Sequence, residues 1–233
     1  MKKLDKPPCI VNVGVGHWYP RGQDRLKASI DQWGTDVPTK FFPWAGIYPE
    51  GSPTHQEVPY AFKAHAINAV RNLGYEQVLW LDCSMWLQGH WGEFWDLLSA
   101  RGMLAWQCDA GPVGTWCCDA ALPKLGVTRE QAMEIPMASG GCVAWDFRHL
   151  KTRKVWDYYW EQARTGSFIG PWDTRGEFVS HDERVRGHRH DMPALSIGMQ
   201  RAGIELLQEP YLFGYPYRPN PHGYRHIIAC CGL

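Results

Sequence analysis

The sequence predicts an α/β fold, a mostly parallel central sheet flanked by helices in the Rossmann-like manner, and three observations carry that expectation. Cys9-Ile10-Val11-Asn12-Val13 closes on Gly14-Val15-Gly16 and is followed by Leu26, Ile30 and Trp33 at helical spacing. A buried strand, a glycine turn and a helix therefore open the chain. Val78-Leu79-Trp80-Leu81 is apolar without interruption and stops at Asp82, as a strand does when both its faces are covered in the middle of a parallel sheet. Strand-like and helix-like segments then alternate as far as Leu207, the pattern of layered α/β domains.

The remaining elements follow in order. Residues 35–57 are rich in Pro, Gly and aromatics and read as a loop around one short strand, Thr39 to Phe42. Pro59 opens a helix whose Phe62, Ala66, Ile67, Val70 and Leu73 form one apolar stripe, ended by Gly74. A helix from Trp91 to Ala100 and a strand from Met103 to Gln107 come next. Thr128-Arg129-Glu130-Gln131 has the spacing of a capping box. Cys142 to Trp145 is a strand entered through Ser139-Gly140-Gly141, and Leu150 to Arg164 is a long helix with Val155, Tyr158, Tyr159 and Gln162 inward. Asp191 caps a helix to Ala202, and Ile204 to Leu207 is a last strand. With no repeat and no linker, the expectation is one domain over residues 1–233, residues 209–233 forming a Pro- and Tyr-rich tail.

Composition narrows the function classes. Lys and Arg number 24 and so do Asp and Glu, so the formal net charge is zero and no bulk field draws the chain to nucleic acid or membrane. Some of the 13 Trp belong to the core, but so many large amphipathic rings point to a cleft with aromatic walls. Of the 8 Cys, four form the adjacent pairs Cys117-Cys118 and Cys230-Cys231, and there is no C-x-x-C. The thiols are therefore expected to be reduced and the compartment cytoplasmic, without a structural zinc. No run has the length of a bilayer span, and the Lys-containing start runs into Asp5 and Pro7-Pro8 rather than a signal-type apolar core.

Chemistry belongs at the carboxyl ends of the strands. There the sequence places Gly14, Val15, Gly16 and His17, where missing side chains would let a nucleotide lie on the backbone, and Asp82-Cys83-Ser84. A carboxylate leaving a buried strand needs a partner, a metal or a ligand hydroxyl, and Asp82 and Ser84 supply the oxygen ligands that magnesium or manganese prefers. Tyr217-Arg218 and His222-Gly223-Tyr224-Arg225-His226 gather basic groups without an intervening acid, suited to a diphosphate.

Ala61-Phe62-Lys63-Ala64-His65-Ala66-Ile67 followed by Gly74-Tyr75-Glu76-Gln77-Val78-Leu79-Trp80-Leu81-Asp82 resembles the core of GT-A glycosyltransferases, glycogenin-like members of the D-x-D superfamily. Ser139-Gly140-Gly141-Cys142-Val143 and His188-Arg189-His190-Asp191-Met192-Pro193-Ala194-Leu195 extend the resemblance, in order, over roughly residues 9–207. It implies a GT-A-like fold and transfer of a sugar from a nucleoside-diphosphate sugar, a UDP-sugar above all, to a hydroxyl of a glycan or of a hydroxymethylated base in viral DNA. It further implies a manganese or magnesium ion on Asp82, Ser84 and His222. Lys63, Arg218 and Arg225, with the Gly14 to His17 segment, would hold the donor, and Asp191 with His190 would work at the reacting sugar. The tail would close over the donor. Two positions depart from the pattern: Ser84 replaces the second acid of D-x-D, and Met192 replaces a Gln after Asp191.

Two other classes remain open at this level. His188, His190 and Asp191 have metal-ligand side chains and could serve a metal-dependent hydrolase. A non-catalytic nucleotide-sugar binding module is the third reading; such a module has no need of an acid at the end of its central strand.

Overall fold

The computed structural model describes residues 4–208, 211–218, 223 and 226–230. A five-stranded sheet is ordered β2 (Lys40–Ala45), β1 (Cys9–Gly14), β3 (Gln77–Leu81), β6 (Pro136–Asp146), β5 (Met103–Pro112). β1 runs parallel to β2 and β3, β3 is antiparallel to β6, and β6 is antiparallel to β5, so β6 alone opposes the other four. The expected mostly parallel sheet is therefore present. A second, three-stranded sheet orders β4 (Met85–Leu87), β8 (His226–Cys230) and β7 (Leu212–Gly214).

Alternation along the strands divides the core in two. Ile10, Leu79, Leu81, Leu104, Trp106, Cys142 and Ala144 face one cluster, packed with α1 (Tyr19–Trp33), α3 (Gly92–Arg101) and the small sheet. Cys9, Val11, Val78, Trp80, Met103, Ala105, Val143 and Trp145 face the other, packed with α2 (Ala61–Asn72), α6 (Leu150–Arg164) and α7 (Asp191–Ala202). Short helices α4 (Leu122–Leu125) and α5 (Arg129–Met133) lie in the connection from β5 to β6, after a 3-10 turn at Val113–Trp116. The Thr128–Gln131 capping box forms with both of its hydrogen bonds.

The expected elements that change do so for local reasons. Ile204 to Leu207 is not a strand: only Leu207 bridges Trp106, at the point where the pairing of β5 with β6 shifts register between Ala105 and Gln107. Asp191 is not the cap of α7; His190 occupies that place without a side-chain cap bond, and Asp191 sits in the first turn. β4, β7 and β8 were hidden in short, mixed sequence that only tertiary pairing orders. Cys9, Cys83, Cys117 and Cys118 are free thiols.

Candidate active site

The antiparallel register of β3 on β6 builds the site. It pairs Leu81 with Cys142 and Gln77 with Asp146, so one step past β3 the Asp82 N–H donates to the Gly141 carbonyl at 2.8 Å. Ser139-Gly140-Gly141 therefore lies against the acid that ends the central strand. A Cβ on Gly141 would stand 3.1 Å from Asp82 Oδ2, and one on Gly140 would stand 3.2 Å from Asp191 Oδ2. Both glycines are required by close approach.

Lys63, from α2, ties the arrangement together. Its Nζ donates to the Gly140 carbonyl at 2.8 Å and lies 3.2 Å from Asp82 Oδ1 and 3.4 Å from Asp191 Oδ2. Trp80 Nε1–H donates to Asp82 Oδ1 at 2.8 Å, and the Tyr159 hydroxyl donates to Asp191 Oδ2 at 3.4 Å. Asp191 and Lys63 are buried, whereas the Asp82 side chain keeps 34% exposure and reaches the cleft. Burial works against the Lys63 ammonium, but the Asp191 and Asp82 carboxylates more than offset it and hold its pKa above the ordinary lysine value. Burial raises Asp191 above the usual carboxylate range despite the neighbouring ammonium. One cation thus serves two carboxylates, and only Asp82 faces outward.

Above this triad a cleft of about 490 Å³ opens beside the carboxyl ends of β1 and β3, lined by Val15, Gly16, Tyr48, Tyr60, Phe62, Trp80, Asp82 and Ser84 among others. Its wall continues as a ring stack. Tyr60 lies 5.4 Å from His190, and His190 lies 5.6 Å from Trp172 at 24°. Tyr60 and His190 both have positive φ, 61° and 49°, without being glycine. Such strain persists only where packing enforces it, and functional sites are where it concentrates. His190 Nδ1–H donates to the Phe168 carbonyl at 2.9 Å, and burial lowers its pKa to about 4, so the ring is neutral near pH 7.

The residues singled out from sequence are distributed unevenly. Val15, Gly16, Asp82 and Ser84 line the cleft, Lys63 and Asp191 lie beneath it, and His190 stands in its aromatic wall. Gly14 is buried at the end of β1, with its carbonyl accepting from the Gly46 N–H, and His17 is exposed against the Trp18 ring. Arg218 pairs with Asp109 at 2.7 Å and stacks on Tyr215. His222 and Arg225 lie outside the described residues. Tyr60, Trp80 and Tyr159 were not anticipated, although Trp80 beside Asp82 in sequence was a signal for the bond between them.

The described residues do not by themselves fit a divalent cation. Asp82 Oδ1 is already shared between an ammonium and an indole N–H, and Ser84 Oγ lies 3.4 Å from Cys230 Sγ. Among the described residues no three His, Cys, Asp or Glu side chains converge as a ligand group. His188 is similarly committed: Nε2 bonds the Ser167 carbonyl at 3.0 Å and Nδ1 accepts from the Cys118 N–H at 3.4 Å. It is fully buried, with its pKa pushed down to about 3 by desolvation. A hydrolytic metal centre on His188, His190 and Asp191 is therefore not assembled. No helix among the described residues is long and apolar enough to cross a membrane.

No protein-family model matches the chain, and no curated protein matches it. Among solved structures, an active-site mutant of LgtC is similar over 97% of this chain and 88% of its own, at 11% identity and a TM-score of 0.49. The galactosyltransferase LgtC in complex with donor and acceptor sugar analogues is similar over 96% and 87%, at 11% identity and a TM-score of 0.47. At this level the likeness assigns neither family nor activity.

Proposed function

We propose that the chain is a GT-A type glycosyltransferase that moves a sugar from a nucleoside-diphosphate sugar to a hydroxyl acceptor. The observation that carries this reading is Asp82. It is the only outward-facing member of a buried Lys63–Asp82–Asp191 triad, and it stands at the carboxyl end of the central strand in an aromatic cleft. Open α/β sheets bind nucleotides at that place.

In the reaction, the bond from the sugar's anomeric carbon to the diphosphate oxygen breaks and its electron pair stays on the diphosphate. The acceptor oxygen bonds the anomeric carbon, and the acceptor proton is released. Asp82 accepts a donor hydroxyl, and Asp191, fixed by Lys63 and Tyr159, orients the sugar. A histidine whose conjugate acid titrates near 4 is a weak base. His190 accordingly suits positioning of the acceptor hydroxyl better than removal of its proton. The donor lies along Val15 and Gly16, and manganese or magnesium is the ordinary companion of such an acid. Because the described ligand set does not fit one, no step is assigned to it. The acceptor is a glycan or a hydroxymethylated base.

The test is a panel of nucleotide-sugars assayed by thermal shift and by release of nucleoside diphosphate, with Asp82→Asn beside the native chain. Stabilisation by at least one donor and turnover lost in the variant, with the melting temperature preserved, is the expected outcome. Equal turnover in both proteins, or no response to any donor, refutes the assignment.

A further inference from the structure

Arg21 and Arg25 stand four residues apart on α1 and so share one helix face. Like charges at this spacing destabilise a helix, and neither arginine has an acidic partner among the described residues. Each guanidinium instead rests on an indole, Arg21 at 5.3 Å from the Trp18 ring and Arg25 at 4.5 Å from the Trp86 ring. Together with Trp18, Tyr19 and Gly22 they line a hollow of about 580 Å³. Tyr19 is also a wall of the Asp82 cleft, so the two spaces adjoin. Arg25 reaches the end of the central strand, with one terminal nitrogen 3.5 Å from the Cys83 carbonyl, and its buried Nε has no hydrogen-bond partner. An indole under a guanidinium holds its plane while leaving its N–H edge free for two oxygens of an anion.

We propose that Arg21 and Arg25 form a diphosphate site that does not need a divalent cation. On the glycosyltransferase reading, on which this assignment of the anion rests, it holds the donor's diphosphate. The charge that a second acid and its metal would manage is then managed by the Arg25 guanidinium beside Cys83, with Arg21 lining the same hollow one turn away. This accounts for two observations together: Ser84 in place of a second acid, and a triad in which Lys63 already occupies Asp82. When the anomeric bond breaks, the electron pair left on the diphosphate meets N–H donors fixed in advance, so little reorganisation is needed as the charge develops.

The experiment is calorimetric titration of the full chain with inorganic pyrophosphate, uridine diphosphate and uridine, each in excess chelator and again with manganese. Pyrophosphate and uridine diphosphate are expected to bind in chelator. Arg25→Ala should weaken both by about ten- to a hundred-fold, the scale of one charge-assisted hydrogen-bonding group, and leave uridine unchanged. Arg25→Lys should recover part of the loss, since it restores charge but not the fork. Arg21→Ala, at an exposed position, keeps the test valid if Arg25→Ala fails to fold. Binding that appears only with manganese, or affinities unchanged in Arg21→Ala and Arg25→Ala, overturns the proposal. If pyrophosphate binds and is lost in the variants while uridine diphosphate binds no better than pyrophosphate, the anion site stands and the nucleotide-sugar reading falls.

Discussion

Replacing Lys63 by Met leaves two carboxylates around a buried space that had one cation. Asp191 bears the consequence, because it is buried while Asp82 keeps 34% exposure and is screened by water. At 3.4 Å and an effective dielectric of about 20, the lost attraction to Asp191 is about 5 kcal/mol. Asp191 has a cheaper way out, which is to bind a proton. From an ordinary carboxylate pKa, that costs about 4 kcal/mol near pH 7 and about 1.5 kcal/mol near pH 5. The smaller figure governs at each pH. Lys63→Met should therefore lose about 3–4 kcal/mol of unfolding free energy near pH 7, within the range for breaking a buried pair. Near pH 5 the loss should fall to about half that. The sign follows from Asp191: in the variant its folded pKa is raised above the unfolded value, so stability falls as pH rises past the unfolded value. Urea denaturation at the two pH values measures both figures. Lys63→Met/Asp191→Asn should recover most of the neutral-pH loss. A loss that does not change with pH, or a double variant no more stable than the single one, would refute the reasoning.

His188 and His190 are buried neutral, with pKa values near 3 and 4. Each folded pKa lies below the unfolded value, so the stability they contribute is present above about pH 6.5 and is lost as pH falls toward 4. Near pH 5 the loss is about 2 kcal/mol per histidine, visible as a lower urea midpoint; a midpoint flat from pH 7 to 5 counts against it. Gly140→Ala puts a Cβ 3.0 Å from Met192 and 3.2 Å from Asp191 Oδ2. It should cost about 1–3 kcal/mol and slow turnover more than a change confined to stability allows, with circular dichroism and rate compared on the same sample. Ser84→Asp supplies the missing second acid beside Asp82 and should tighten manganese binding measured by titration, whereas an unchanged affinity would mean that Lys63 blocks the ion regardless of ligand number.

The fold was legible where burial alone decides structure. β3 is apolar on both faces because both core clusters meet at it, and Val78 and Leu79 side with opposite clusters. α2 and α6 show their stripes because each has one inward face. The small sheet was not legible for the same reason reversed. β4 and β7 are three residues each, too short to carry a period, and β8 lies after a Pro- and Tyr-rich stretch that resembles a tail. Their order comes from pairing across the chain, as between Met85 and Cys230, which no window of sequence contains.

The site divides along a similar line. Asp82 was legible because a charged residue ending a buried strand is costly and demands an explanation. Asp191 stood out only through the resemblance, since an acid near a helix start is ordinary. That Lys63 spends its charge on these two acids was not legible at all. It depends on β6 running against β3, which brings the Gly140 carbonyl over α2, and antiparallel insertion into a parallel sheet leaves no mark in either strand's composition. The consequence is chemical. A lysine free to meet a phosphate and a lysine locked between carboxylates have the same sequence context but opposite roles. On the proposed reading the second role leaves the diphosphate to other cations, and among the described residues Arg25 lies packed on Trp86 beside Cys83.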